Sequence, residues 1–189
     1  GEGCGVIYAL ATIGVSIAFS CKEGPCGTCE TAVLGGRPDH RDVVLTPEER
    51  YDETVQLFKD TGKVWFTNDE QQIQKLREFV FPDGHLNKDA VGKTAREIGA
   101  MAGIDVPASA RIILLPAKGA GTNDILAKEK LCPVVAILPY KTFEDAVAKA
   151  KANLIVEGAG HSAALHSNDE AHIREAGVAL PISRLVVNQ

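Results

Sequence analysis

Cys21, Cys26 and Cys29 stand at C-x4-C-x2-C spacing within the run Ser20-Cys21-Lys22-Glu23-Gly24-Pro25-Cys26-Gly27-Thr28-Cys29. This is the plant-type spacing by which thiolates hold a [2Fe-2S] cluster. Cluster iron needs soft, deprotonated sulfur at about 2.3 Å, and a tight loop supplies several such ligands from one stretch of backbone while its amide N–H groups stabilise the sulfurs. Gly24 and Gly27 let such a loop curl. Cys4 and Cys132 bring the total to five, an odd number, which argues against a disulfide framework and for metal ligation in a reducing compartment, here the cytoplasm. The same thiols would also suit zinc, or stand as free thiols without any metal, and the cysteines alone leave these uses open.

The elements that must carry this loop are set by a chain of 189 residues, enough for one ordinary domain or for a small one followed by a medium one. Hydrophobic residues make up 45% and charged residues 24%, a balance typical of a globular protein, and the net charge of -5 gives no reason to expect a nucleic-acid partner or a membrane surface. The most apolar stretch, 6–19, is broken by Gly14 and Ser16, is too short to span a bilayer and lacks the basic flank of a signal peptide.

From Val6 to Ile17 the apolar pattern suits a short helix running into a strand, and Thr31–Leu34 and Asp42–Leu45 are short β-like runs around the turn Gly35-Gly36-Arg37-Pro38-Asp39. After Pro47 the texture changes. Helices are expected over 51–61, from a cap at Asn68 to Pro82, and from Asn87 to Gly103, with strands at Val64–Phe66 and Ile112–Leu115. The last third alternates: strand Val134–Leu138, a helix opened by Thr142 and Asp145, strand Ala163–His166, a helix capped by Ser167-Asn168-Asp169, and strand Leu185–Val187. Such alternation predicts an α/β fold, a mostly parallel sheet covered by helices, with the three late strands as neighbours in one sheet. Two parts are expected, 1–50 and 51–189, joined without a flexible tether at Glu48-Glu49-Arg50-Tyr51.

The run from Phe19 to Thr46, with Phe-Ser-Cys-Lys-Glu-Gly, Cys-Gly-Thr-Cys-Glu-Thr and Pro-Asp-His-Arg-Asp, resembles the ferredoxin domain of the phthalate dioxygenase reductase family. The resemblance implies a small β-rich segment of β-grasp type, a [2Fe-2S] cluster on Cys21, Cys26 and Cys29, and electron transfer to a redox partner protein, an oxygenase. The family's fourth cysteine should follow some way after the third, yet 50–82 contains none, so Cys4 and Cys132 are the remaining candidates.

From Tyr51 onward the chain resembles the catalytic domain of CoA-acylating aldehyde dehydrogenases. The runs that carry the likeness are Tyr51-Asp52-Glu53-Thr54-Val55, Leu86-Asn87-Lys88-Asp89-Ala90-Val91-Gly92, Met101-Ala102-Gly103-Ile104, Glu129-Lys130-Leu131-Cys132-Pro133-Val134, Gly158-Ala159-Gly160-His161 and His166-Ser167-Asn168-Asp169. The resemblance implies oxidation of a small-molecule aldehyde through a cysteine thiohemiacetal, with NAD(P) and CoA as cofactors, in a homo-oligomer. It places Glu129, ahead of Pro133, where the family sets a carboxylate against the nicotinamide ribose; two hydroxyls of a vicinal diol can donate to one carboxylate. A plain surface glutamate is the competing reading. The Gly158–His161 turn and Asn188 are equally open to structural roles, as a strand-entry turn and a strand-end residue.

The family's nucleophilic cysteine is expected shortly before Tyr51, where none stands, and no glycine-rich phosphate cradle precedes the region. Cys29, followed by Glu30-Thr31-Ala32-Val33, is the nearest upstream thiol and the candidate catalytic residue; Lys22 is its one nearby cation in sequence. His161, His166 and His172 lie too far along the chain for a dyad to be read from sequence. Three readings stand side by side: an acylating aldehyde dehydrogenase chain, incomplete as it stands; a [2Fe-2S] electron-transfer protein; and a chimeric, artificial or misassigned composite with no activity.

Overall fold

A computed structural model describes residues 43–156, 159–160 and 162–188. Its centre is a four-stranded, all-parallel sheet of β1 (Val43–Pro47), β2 (Val64–Phe66), β3 (Ile112–Pro116) and β4 (Val134–Tyr140), in the order β1-β4-β3-β2. The helices are α1 (Tyr51–Asp60), α2 (Glu70–Val80), α3 (Ala95–Met101), α4 (Phe143–Val156) and α5 (Glu170–Ala179). Strands β5 (Ser162–Leu165) and β6 (Arg184–Val187) pair with each other in parallel, with α5 between them in sequence.

The central strands are continuous apolar runs because both faces of the sheet are covered. On one face Ile113, Leu115, Val134, Ala136 and Leu138 pack with Ile73, Leu76, Val80 and Ile98 of α2 and α3. The alternate residues Ile112, Leu114, Val135 and Ile137 face the other way, against Val55 and Phe58 of α1. The period of two along each strand thus divides one apolar sequence between two layers.

Three expectations need correction. The three late strands do not share a sheet: β4 is flanked by β1, in register from Val43↔Ala136 to Pro47↔Tyr140, and by β3, so no edge of β4 is left for β5. A strand-helix-strand sequence fixes parallel direction but not which strand becomes the neighbour. The helix placed from Asn87 to Gly103 is shorter. Asn87 opens only the turn Lys88–Ala90, Gly92 takes a φ of 72°, and α3 starts at a Thr94/Glu97 capping box. For α2 the cap is Asp69 rather than its neighbour Asn68, its carboxylate accepting from the N–H groups of Gln71 and Gln72. The pattern read over 6–34 lies outside the described residues. Among the described residues no helix is long and apolar enough to cross a membrane.

Candidate functional site

The segment that enters β4 is held at several points. It begins at Asp124, which is buried and accepts three hydrogen bonds: from Arg77 Nη2 at 2.7 Å, from the Lys118 N–H at 2.6 Å and from the Leu126 N–H at 3.0 Å. The last of these caps the turn Ile125–Ala127. Lys128 Nζ reaches the Gly84 carbonyl at 3.3 Å, and Lys130, fully buried, donates to the carbonyls of Leu126 and Lys128.

Leu131 then takes a φ of 49°, a left-handed conformation costly for a bulky residue, and its carbonyl accepts from the Gly92 N–H at 3.3 Å. The Val134 N–H closes back onto the Cys132 carbonyl at 2.7 Å, and the Pro133 carbonyl accepts from the Ile113 N–H at 2.9 Å. Glu129 sits half-buried between these anchors, at the N-terminal mouth of β4. A carboxylate can accept hydrogen bonds from two adjacent hydroxyls of one ligand.

Of the other residues singled out by sequence, Cys21, Cys26 and Cys29 lie outside the described residues, as do Cys4, Gly158 and His161. Cys132 is buried just before β4. Among the described residues no group of three or more His, Cys, Asp or Glu side chains could hold a metal ion. Asn188 is structural, since its side-chain amide accepts from the Ser167 N–H at 2.9 Å and donates to the Ser167 carbonyl at 2.7 Å, stapling the ends of β5 and β6. Gly160, with a φ of 101°, ties the opposite, N-terminal end of the β5–β6 pair through its N–H to the Pro181 carbonyl at 2.8 Å. His172 stacks on Phe143 with ring centroids 3.9 Å apart, docking α5 on α4, and His166 is exposed.

Sequence reasoning missed Lys130 and the Arg77–Asp124 pair. A lysine beside Leu131 carries no local sign that it points inward, and the partners of Asp124 come from another helix. At the C-terminal edge of the sheet, burial and then the Asp52 charge raise the Tyr51 phenol above its usual range, while burial and then Glu49 raise that of Tyr140. Both stay protonated donors near neutral pH.

The parallel sheet covered on both faces defines a layered α/β protein. Over 146 residues, 77% of the chain, it is 47% identical to a succinate-semialdehyde dehydrogenase (acetylating) of Clostridium kluyveri, 32% of which is covered. A solved acetylating aldehyde dehydrogenase from Geobacillus thermoglucosidasius superposes with a TM-score of 0.74 at 26% identity, over 99% of this chain and 38% of that one. A family model for the 2Fe-2S iron-sulfur cluster binding domain matches residues 2–57, and 48 residues, 25% of the chain, are 56% identical to a phenoxybenzoate dioxygenase subunit beta of Ectopseudomonas oleovorans, covering 15% of it. Most of the chain therefore resembles acetylating aldehyde dehydrogenases in sequence and fold, and an N-terminal part resembles a [2Fe-2S] domain. The chain spans about a third of the length of the dehydrogenase relative.

Proposed function

We propose that the α/β part belongs to an oxidoreductase that oxidises a small-molecule aldehyde with NAD(P) and transfers the acyl group to CoA. The observation that supports this best is the fixed turn presenting Glu129 at the mouth of β4, in a chain 47% identical to an acetylating dehydrogenase over most of its length. Glu129 fits a ribose: its carboxylate accepts, and the hydroxyls of a diol donate. Bound NAD(P) supplies the hydride acceptor. Glu129 holds and orients it, and Cys29 is the thiol assigned as nucleophile. The two-part division, 1–50 and 51–189, is retained as a proposal, with β1 as the strand that joins the parts, and the protein is placed in the cytoplasm as a homo-oligomer.

The test is to mix the full chain with short aldehydes, CoA and NAD+ or NADP+ and follow reduced nicotinamide by absorbance. CoA-dependent formation, lost in Cys29→Ser and slowed in Glu129→Gln, supports the reading. No reduced nicotinamide with any aldehyde, or a Cys29→Ser rate equal to wild type, overturns it.

A second reading is supported by the 2Fe-2S match to residues 2–57. In it Cys21, Cys26 and Cys29 hold a [2Fe-2S] cluster, Cys4 or Cys132 serves as fourth ligand, and electrons pass to an oxygenase-type partner. Two irons per chain with visible charge-transfer bands support it; a colourless, iron-free protein purified without oxygen removes it. If both tests fail, the inactive composite remains.

A further inference from the structure

Lys130 is 0% exposed, and its side chain folds back along its own chain, with Nζ donating to the Leu126 carbonyl at 2.7 Å and to the Lys128 carbonyl at 2.9 Å. Lysine is almost never fully buried without specific partners, because removing an ammonium from water is costly. The two carbonyls are therefore held at one point, and the backbone from 126 to 130 is closed into a ring around the charge. Glu129 lies inside that ring.

Both sides of the ring are anchored. Upstream, Asp124 caps Leu126 and is itself gripped by Arg77 and by the Lys118 N–H. Downstream, Leu131 holds its left-handed conformation, with φ 49°, while its carbonyl is bonded to Gly92. Strain of this kind persists only where the surroundings over-determine it, and it concentrates at working sites. The main chain through Glu129 is thereby held on both sides, by a lysine that has no exposed surface of its own and by the anchored turn around it.

We propose that Lys130 is a positioning residue, whose buried ammonium fixes the main chain that aims the Glu129 carboxylate at the nicotinamide ribose. This rests on the reading of Glu129 given above. Lys130 itself touches no substrate; it acts through Glu129.

The test measures NAD+ affinity of the full chain by calorimetric titration for wild type, Glu129→Gln, Lys130→Met and the double variant, with urea unfolding alongside. Lys130→Met is expected to weaken NAD+ about tenfold, the scale of one misdirected charge-assisted hydrogen bond. The double variant should bind no more weakly than Glu129→Gln alone, because both changes remove the same contact. Lowered stability with unchanged NAD+ affinity, or losses that add in the double variant, overturns the proposal and leaves Lys130 a folding residue only. If Lys130→Met does not fold, Lys130→Arg carries the test: its NAD+ affinity should fall and be masked by Glu129→Gln, and an affinity equal to wild type overturns the proposal. Wild type that binds no NAD+ removes the Glu129 reading itself, and with it this inference. Glu129→Gln weakened beside unaffected, folded Lys130 variants removes the inference alone.

Discussion

Arg77 Nη2 and Asp124 Oδ2 meet at 2.7 Å across 47 positions of sequence, with side chains 13% and 4% exposed. The pair ties α2 to the start of the turn that carries Glu129, so an ion pair in the core positions a residue at the mouth of the sheet. Removing one partner strands the other's charge in a low-dielectric interior. Asp124→Ala should cost about 3–5 kcal/mol by urea unfolding. The double change Arg77→Met with Asp124→Leu should cost clearly less than the two single changes summed. Additive losses would show that the two charges do not depend on each other.

Strand β4 is the centre of both apolar layers, with Val135 and Ile137 buried against α1. Ile137→Ala should cost about 2–5 kcal/mol and Ile137→Val about 0.5–1.5 kcal/mol. Unchanged unfolding midpoints in both would mean that the core lies elsewhere.

The α3 cap has a pH signature. Bonds from the Thr94 N–H and hydroxyl to Glu97, at 2.8 Å each, hold the Glu97 carboxyl below the usual carboxylate range. A depressed folded-state pKa gives stability that is present above the unfolded value and lost as pH falls through the folded one. Thr94→Ala should cost about 1 kcal/mol at neutral pH. The variant's deficit should shrink on acidification below the ordinary glutamate range, and a deficit constant down to acid pH would contradict the cap.

Strand β1 was legible only as a brief apolar run, yet it pairs with β4 along five positions, and its Thr46 hydroxyl bonds that of Thr54 on α1 at 2.9 Å. Amide hydrogen exchange should show protection over 43–47 comparable to that over β4. Rapid exchange there beside a protected β4 would detach β1 from the sheet.

What the sequence disclosed follows from range. The apolar runs of β3 and β4, the amphipathic α2 and the Thr142–Asp145 start of α4 are local patterns, and they stand as read. Strand order was not legible, because the place beside β4 is won by Val43–Pro47 from far upstream rather than by β5. In the turn before β4, Glu129 was singled out only by the likeness of the Glu129–Pro133 run, and its role is a proposal, whereas the inward turn of Lys130 depends on carbonyls that only the folded loop brings within reach.

The most direct measurement is saturation-transfer NMR of NAD+ with the full chain. The nicotinamide-ribose protons should receive saturation from wild-type protein and lose it in Glu129→Gln. Equal transfer in both proteins, or none in wild type, would contradict the assignment of this turn as the nicotinamide site.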